Sequence, residues 1–343
     1  MAPTGRAAKR LAISSGRDAD TIHKALEASV RETGRTYFEK NEANPLGEDL
    51  IIVDEASMLD ISLFYHLLCA LKDGARLILV GDIDQLPPVG AGEPLKDLMS
   101  WGYVPIVRLK RIFRQEEGSG IVENAALIRK GEMCVPDEAG EFRIIYAADD
   151  EDAYRIVMDL CRELNYGNEE NKMLLQVLSP MYRGVCGVDH LNESLQEMIH
   201  GEKVPDGMKF FPGDKVMQTR NDYEKGIYNG DVGTVWTATP QKVFVRYFDK
   251  EVVYEGEERF DLRLAYAVTV HKSQGSEYET VIFILRPSQH NMLQRNLLYT
   301  GVTRARKNTI LVTAPDALRR ALAIQHTGNR YSLFLPFLNH EAL

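Results

Sequence analysis

The chain has 343 residues, of which 44% are hydrophobic, with a formal net charge of −9 and an isoelectric point near 5.5. This length suffices for about two domains that each bury a hydrophobic core, and the acidic balance excludes a histone-like polycation. It does not exclude a nucleic-acid partner, because a protein can confine its positive potential to one groove and remain acidic elsewhere.

The cysteines and the apolar runs indicate an intracellular protein. The four cysteines, Cys69, Cys134, Cys161 and Cys186, lie far apart, without the paired spacing of a zinc site or a disulfide framework. No apolar run approaches the length that crosses a membrane, and no signal peptide is recognisable. We therefore expect a cytoplasmic protein without a membrane partner.

The first third of the chain alternates helix-period segments with short apolar runs. A helix pattern rich in Arg, Lys and Ala follows Gly5, and the runs Leu50–Val53 and Arg76–Gly81 are typical of buried parallel strands. Asp54 follows the first run, and Asp82 ends the second. Since open parallel sheets bind ligands beyond the carboxyl ends of their strands, both positions are candidates for a functional site.

A second α/β unit is predicted downstream, interrupted by an all-β segment. From about Phe211 to Phe260, short strands alternate with Gly, Asn and Asp turns such as Tyr228–Asp231, which predicts a small β-insert. The elements predicted around it are the strand Phe142–Ile145, the helix Glu151–Leu164, the strands Leu174–Ser179, Leu264–Val270 and Thr280–Leu285, the helix Leu297–Arg304 and the strand Thr309–Thr313. The second domain is therefore expected to be discontinuous.

The residues after the first two strands suit phosphate chemistry. Asp54 can hold Mg²⁺, usually through water, and Glu55 can polarise an attacking water; the alternative is a strand that ends in solvated acids. Within Gly81–Gly90, the neutral amide of Gln85 can hydrogen-bond a γ-phosphate, and Pro87 belongs to a stiff Pro-Pro pair that can present backbone to a partner. The alternative there is a rigid turn without a ligand.

Two further regions carry basic or polar residues that could serve a site between domains. Arg114, in the basic stretch Arg108–Gln115, can act as an arginine finger, although most such stretches are solvated faces. The polar loop Val270–Tyr278 follows a predicted strand and suits contact with both nucleic acid and nucleotide. Arg304 lies near a helix end, where we expect it to point between the domains. His271 alone would be more typical of a structural histidine, and its neighbours favour a functional one.

Taken in order, these segments resemble the motifs of one helicase family. The motif sequences LPPVG, IFRQ and VHKSQGSEY resemble those of the RecD-like branch of the superfamily 1B DNA helicases more closely than those of its Pif-type or relaxase-linked branches. So many motifs in the family's order, from residue 2 to residue 306, exclude chance. The matches are Ala2–Arg10 with motif Ia, Thr21–His23 with Ib, Asp54-Glu55 with II, Gly81–Gly90 with III, Phe113–Gln115 with IV, His271–Glu277 with V and Val302–Arg304 with VI.

The resemblance implies an α/β fold with two RecA-like parallel-sheet domains, the first truncated, and a small SH3-like β-barrel inserted in the second. The implied boundaries are 1–118 for the first domain, 119–210 and 263–343 for the second, and 211–262 for the barrel. The implied activity is that of an ATP-dependent DNA helicase of recombination and repair, which translocates 5′→3′ on single-stranded DNA. ATP and Mg²⁺ would be its cofactors. Single-stranded DNA, 5′-tailed duplex DNA and other recombination or repair proteins would be the partners of a monomer.

The resemblance also assigns roles by motif position. Asp54 would hold Mg²⁺ and Glu55 would activate water, while Gly275 and Glu277 would bind the nucleotide, Glu277 through its ribose. The residues expected to sense or stabilise the γ-phosphate are Gln85, Arg114 and Arg304. The residues expected to contact DNA are Thr4, Arg6, His23, Pro87, Arg183 and His271, of which Arg183 rests on a weaker likeness.

One departure from the family pattern bears on activity. A Gly-rich loop that ends in Gly-Lys-Ser/Thr should precede motif Ia, and no such tripeptide occurs in the 343 residues. We therefore expect a truncated helicase that is inactive alone because its phosphate-binding loop is absent. The alternative is a degenerate helicase module that binds nucleic acid or a partner protein without catalysis. The intact set of nucleotide-facing residues favours the truncated enzyme.

Overall fold

The computed structural model of the chain describes residues 1–30, 36–109, 118–222, 224–248, 250–325 and 334–339. Among these residues, no helix combines the length and apolar character needed to cross a membrane. The chain divides into two units, Met1–Lys110 with Gly328–Leu343 and Arg111–Thr327. The helix Phe334–Leu338 thus groups with the first unit, whereas the sequence placed it in the second domain with residues 263–343. The difference has a packing reason, because the ring of Phe334 meets that of Phe64 edge-on at a centroid distance of 5.9 Å.

The first unit is built on two parallel strands. Its elements are α1 (Gly5–Ser15), α2 (Ile22–Ala25), β1 (Ala28–Val30), β2 (Thr36–Phe38), β3 (Leu50–Val53), α3 (Ile61–Cys69), β4 (Arg76–Leu79) and α4 (Pro94–Trp101). β3 and β4 pair in parallel, with Val53 opposite Leu79, and β1 and β2 form an antiparallel pair. The carboxyl ends of β3 and β4 therefore lie side by side.

The two faces of this small sheet differ in burial. Successive side chains of a strand point to opposite faces, and Ile51 and Val53 are buried in a core with Phe64 and Leu67 of α3. The opposite face presents large apolar side chains that are 42–49% exposed, namely Leu50, Ile52, Ile78 and Val80. Only one face of the sheet thus contributes to the core of the unit.

The second unit contains a five-stranded parallel sheet and a five-stranded antiparallel sheet, which confirms the predicted α/β class with an all-β insert. Its helices are α5 (Gly120–Lys130), α6 (Asp150–Glu163), α7 (Glu169–Lys172), α8 (Val188–His200), α9 (Arg295–Val302) and α10 (Pro315–Ala323). Its strands are β5 (Phe142–Tyr146), β6 (Leu175–Ser179), β7 (Lys215–Gln218), β8 (Val232–Ala238), β9 (Lys242–Arg246), β10 (Glu251–Glu255), β11 (Leu262–Leu264), β12 (Ala267–Thr269), β13 (Tyr278–Leu285) and β14 (Ala305–Thr313). The parallel sheet has the order β12-β6-β13-β14-β5, and the antiparallel sheet has the order β10-β9-β8-β7-β11.

The return from the insert to the parallel sheet differs from the prediction. The sequence placed one strand over Leu264–Val270, whereas the structure has two: β11 pairs antiparallel with β7, and β12 pairs in parallel with β6. The chain passes from one sheet to the other at Ala265 and Tyr266, both fully buried. Because the whole run is apolar, its periodicity carries no mark of the crossing.

A buried carboxylate stabilises the entry to the insert. Asp214, directly before β7, is fully buried. Its Oδ2 accepts hydrogen bonds from the side-chain amide of Gln196 (2.5 Å) and the backbone N–H of Phe211 (2.7 Å). Its Oδ1 accepts one from the hydroxyl of Tyr266 (2.8 Å) and lies 2.9 Å from Nε2 of His200. Since a buried charge is tolerated only with such partners, this cluster fixes the insert to α8 and to the segment before β12.

The neighbouring lysine extends this network to the parallel sheet. Lys215 is 1% exposed, and its ammonium donates to the carbonyl of Leu175 and to Oε1 of Gln176, both at 3.0 Å. It also lies 5.4 Å from the ring centroid of Tyr166. We call Asp214, Lys215 and their hydrogen-bond partners the seam network, because they join the two sheets of the second unit.

Candidate functional site

The carboxyl end of β3 carries the first candidate residues. Oδ1 of Asp54 accepts a hydrogen bond from the backbone N–H of Glu55 at 2.9 Å. Glu55 adopts a left-handed backbone (φ 53°, ψ 37°), which costs a non-glycine residue about 1–3 kcal/mol and persists only where the surroundings enforce it. Here the N–H of Ala56 donates to the carbonyl of Val80 at 2.7 Å. The predicted catalytic carboxylate thus lies in a strained turn at the end of a strand.

The residues after β4 form a tight turn against that of β3. Oδ1 of Asp82 accepts from the N–H of Asp84 at 3.0 Å, and the N–H of Gln85 donates to the carbonyl of Asp82 at 3.2 Å. A Cβ atom on Gly81 would lie 2.8 Å from the backbone nitrogen of Ser57, so only glycine permits this approach. The structure therefore brings Asp54, Glu55 and Gln85 to one edge of the first unit, and their roles stay predictions.

Asp54 fits a magnesium ion that takes its remaining ligands from phosphates and water. Mg²⁺ is usually held by one or two protein carboxylates and retains several waters. Within the described ranges, no group of three His, Cys, Asp or Glu side chains could hold a metal. Oδ1 of Asp54 accepts the N–H of Glu55. Asp54 would therefore supply one carboxylate to the ion, and a nucleotide and waters would supply the other oxygens.

Three DNA candidates of the first unit lie on neighbouring segments. Ala2 pairs with Thr21 through an isolated parallel bridge, which brings the turn at Thr4 next to the start of α2, where His23 lies. Thr4 caps α1, because its hydroxyl oxygen accepts the N–H of Ala7 at 3.3 Å. Arg6 is half-buried on α1. Burial lowers the pKa of His23, and the charge of Asp60 opposes this effect in part, so His23 favours the neutral form.

The fourth candidate of this unit, Pro87, lies beside the turn of Gln85. Both residues line a small cavity, together with Ser57. Pro87 is half-buried, and Val89 two residues later is 89% exposed. The segment predicted to face DNA is therefore contiguous with the residue predicted to face the nucleotide.

In the second unit, the segment of motif V forms a compact loop after β12. His271–Ser273 is a 3-10 helix, and Gly275 is buried in the left-handed region (φ 72°). Burial lowers the pKa of His271, so the imidazole favours its neutral form. Lys272 donates to Oδ1 of Asn229, in a turn of the insert, at 2.7 Å. The loop is thus braced against the antiparallel sheet.

The residues of motif VI contact those of motif V within the second unit. Arg304 is 1% exposed, and its guanidinium donates from Nε to the carbonyl of Thr300 and from Nη1 to that of Ser276, both at 3.1 Å. Oε2 of Glu277 lies 4.0 Å from Nε of Arg306. We expected Arg304 to point between the domains, and the structure shows its side chain buried. Its role as a γ-phosphate sensor stays a prediction.

The remaining candidates are Arg183 and Arg114. Arg183 is exposed on the loop that follows β6. Because Ser179, the last residue of β6, pairs with Thr269, the last residue of β12, this loop lies at the same sheet end as His271. Arg114 lies outside the described residues.

Two contact residues were not singled out from the sequence. Arg306, the second residue of β14, pairs with Glu277, and its place two residues after Arg304 was a usable signal. Ser57 follows Glu55 by two residues, and its hydroxyl is buried beside Gln85. Serine is so common in turns that its presence there gave no signal.

Comparisons with known sequences agree on one family. An AAA domain model matches residues 1–143, the SH3 domain model of the ATP-dependent RecD-like DNA helicases matches 191–247, and a UvrD-like helicase C-terminal domain model matches 264–312. The ATP-dependent RecD2 DNA helicase of Deinococcus radiodurans is 38% identical over 336 residues, covering 97% of this chain and 45% of that protein. The RecBCD enzyme subunit RecD of Mycolicibacterium smegmatis is 32% identical, covering 97% and 65%. The chain thus spans less than two thirds of either relative.

The fold is similar to that of solved Pif1 helicases. The Bacteroides Pif1 helicase in complex with ADP-AlF3 and single-stranded DNA is 21% identical and has a TM-score of 0.55, covering 99% of this chain and 86% of that one. Bacteroides Pif1 bound to single-stranded DNA is 20% identical, with a TM-score of 0.54 and coverage of 90% and 81%. At this identity the likeness shows the fold alone, a core built on parallel sheets. The three family models and the two relatives show that the chain belongs to the family of RecD-like ATP-dependent DNA helicases.

Proposed function

We propose that the chain is the motor region of an ATP-dependent DNA helicase that moves 5′→3′ on single-stranded DNA in recombination and repair. The observation that carries this proposal is the adjacency of Asp54, Glu55 and Gln85 at the carboxyl ends of β3 and β4. A metal-binding carboxylate, a water-activating carboxylate and an amide for the γ-phosphate are the groups that phosphoryl transfer to water requires. The strained backbone of Glu55 supports the same conclusion, since such strain concentrates at functional positions.

The second unit would supply the groups that stabilise charge and bind the nucleotide. Gly275 and Glu277 would contact the nucleotide, Glu277 through its ribose. Arg304, with Arg114 of motif IV, would neutralise charge on the γ-phosphate in the transition state, an effect worth ~10³ to 10⁵ in rate in related chemistry. In the structure Arg304 donates to two backbone carbonyls, which engage two of its five N–H groups. Mg²⁺, held by Asp54, would shield the phosphate charges.

DNA would contact both units through two arginines and four uncharged residues. The proposed residues are Thr4, Arg6, His23, Pro87, Arg183 and His271. Support comes from the neutral form that burial favours for His23 and His271, since a neutral imidazole can donate to one DNA group and accept from another. A 5′-tailed duplex would be the unwinding substrate. We propose a cytoplasmic monomer, which is the simplest form of such a motor. We also propose recombination proteins as partners, because the RecD relative is named as a subunit of the RecBCD enzyme.

A second candidate function is nucleic-acid binding without catalysis by these 343 residues. The observation that favours it is the lack of any Gly-Lys-Ser/Thr tripeptide in them. In phosphate-binding loops, backbone N–H groups and the lysine contact the phosphates, while the Ser/Thr hydroxyl contacts Mg²⁺. Asp54 alone cannot replace those contacts. We therefore propose that the 343 residues bind DNA but do not hydrolyse ATP unless a phosphate-binding loop is supplied.

The test is to measure ATP hydrolysis by the 343 residues and by a longer form that carries a Gly-Lys-Ser/Thr loop, both with saturating oligo(dT). We expect DNA-stimulated turnover from the longer form, its loss in the matched variant Glu55→Gln, and none from the 343 residues. Duplexes with a 5′ or a 3′ tail give the direction of unwinding. Robust turnover by the 343 residues would contradict the second candidate, and a longer form that binds DNA without turnover would contradict the first.

A further inference from the structure

The hydroxyl of Ser57 is a buried polar group without an evident role. Ser57 is 9% exposed, and its Oγ has no hydrogen-bond partner in the part of the chain that the structure describes. Buried hydroxyls are almost always hydrogen-bonded, and each exception calls for an explanation such as a bound water or a functional contact. Ser57 lies in the 3-10 helix Ala56–Met58, directly after the strained turn of Glu55.

A small cavity beside Ser57 has room for a single water molecule. Its volume is about 20 Å³, and a cavity of roughly 10–15 Å³ is enough to hold one water. The polar residues that line it are Ser57, Gln85, Glu93 and Lys96, and the apolar ones are Ile83, Pro87, Pro88 and Leu95. A bound water needs two to four polar partners, which the first group can supply.

The walls of this cavity are fixed by close backbone contacts. The N–H of Ala56 bonds the carbonyl of Val80, and a Cβ on Gly81 would lie 2.8 Å from both the nitrogen of Ser57 and Cδ2 of Leu95. Glu93 and Lys96 pair with each other at 3.4 Å across one rim. A water in this position therefore has a defined place between the turn that follows β3 and the turn that follows β4.

We propose that Ser57 is a positioning residue that, through one water bound in this cavity, holds the side chain of Gln85. Ser57 Oγ makes no direct hydrogen bond to Gln85, so a water is the bridge that satisfies the hydroxyl. The bridge fixes the amide of Gln85 relative to Glu55, the carboxylate two residues before Ser57. The proposal rests on the proposed ATP hydrolysis for its catalytic meaning, whereas the bridge itself is a property of the folded first unit.

Thermal unfolding tests the bridge without any need for turnover. Trp101 lies in the first unit and Trp236 in the second, and the sequence holds two tryptophans, so in a Trp236→Phe background the fluorescence reports on the first unit. Ser57→Ala should lower the Tm of that unit by about 4–8 °C, the shift expected for one lost hydrogen-bonded group in a small domain. In a Gln85→Ala background the same substitution should have less than half this effect, because bridged residues are not additive.

The control is Ser62→Ala, which removes an exposed hydroxyl from α3. If the hydroxyl of Ser57 is merely unsatisfied, its removal should leave the Tm unchanged or raise it. That result, or full additivity with Gln85→Ala, would overturn the bridge.

Kinetics then test the positioning role. In a form that hydrolyses ATP, Ser57→Ala should lower kcat by roughly 10- to 100-fold, as small misplacements of catalytic groups do, and leave the KM for ATP unchanged. Ser62→Ala should change neither constant. An unchanged kcat together with a lowered Tm would overturn the positioning role and leave Ser57 a structural residue. Lack of turnover in every form would contradict the proposed function, while the thermal cycle would still decide the bridge.

Discussion

Removal of the buried carboxylate in the seam network should selectively destabilise the second unit. Asp214 accepts hydrogen bonds from Gln196, Phe211 and Tyr266 and contacts His200. Asp214→Ala leaves these donors without an acceptor, at about 1–3 kcal/mol for each one that stays buried. His200 is partly exposed and can turn to water, so the net loss in the free energy of unfolding should be about 3–5 kcal/mol.

The milder substitution Asp214→Asn distinguishes the hydrogen bonds from the volume of the side chain. An amide keeps one acceptor oxygen for the two N–H donors on Oδ2, but its NH₂ group then faces the hydroxyl of Tyr266 and Nε2 of His200, both of which would have to accept rather than donate. We expect a loss of about 2–3 kcal/mol, smaller than for Asp214→Ala although the side chain keeps its size.

Urea unfolding of the Trp101→Phe protein, followed by the fluorescence of Trp236 in β8, measures this effect in the second unit. The matched control is Asp159→Asn, since Asp159 is exposed on α6 and pairs with Arg162. That change should cost less than about 1 kcal/mol. If Asp214→Asn proves as stable as the parent, the carboxylate does not hold the insert and the reasoning is wrong.

Three further predictions concern activity, DNA binding and pH. Arg114→Ala and Arg304→Ala should each lower DNA-stimulated ATP turnover by ~10³ to 10⁵ in a form that hydrolyses ATP; turnover near the rate of the unsubstituted protein would show that this arginine does not stabilise the transition state. The affinity for oligo(dT), measured by fluorescence anisotropy, should fall as salt rises, because phosphate contacts release counterions; an affinity independent of salt would argue against a phosphate-binding groove. Burial lowers the pKa of His23 and His271, so below the ordinary histidine pKa of about 6.5 the unfolded chain binds more protons than the folded one. The free energy of unfolding should therefore fall as the pH drops below about 6.5, and less steeply in His271→Gln; an equal slope in both proteins would contradict this.

The sequence predicted those parts of the fold and site that local patterns determine. The strands before Asp54 and Gly81 are short apolar runs that end in polar residues, and that pattern placed Glu55 and Gln85 on one edge. The left-handed backbone of Glu55 could not be foreseen, because it depends on the bond from Ala56 to Val80, a contact between the segments that follow β3 and β4. The same holds for the burial of Arg304, since one of its hydrogen bonds goes to the carbonyl of Ser276, in a loop 28 positions earlier in the chain.

The β-insert likewise depends on contacts that local sequence patterns do not determine. Its turns were evident from Gly, Asn and Asp, whereas its last strand was assigned to the wrong sheet. Leu264 and Ala267 belong to one apolar run, and only the pairing with β7 or with β6 separates them. Asp214 and Lys215 appeared in the sequence as ordinary charges, because burial of a charge is decided by partners that are distant in sequence.

The bond between Lys272 and Asn229 has a practical consequence for labelled or tagged versions of the protein. Turns with exposed residues are the usual places for dyes and inserted peptides, and the turn Tyr228–Asp231, with Asn229 exposed, has that appearance. Its asparagine nevertheless accepts a hydrogen bond from Lys272 in the loop of motif V at 2.7 Å, so a label there would disturb residues that we propose to bind nucleotide and DNA. The exposed turn between β8 and β9, at Pro240 and Gln241, carries no such bond to the loop and is the better attachment point for a fluorophore that follows motion of the insert.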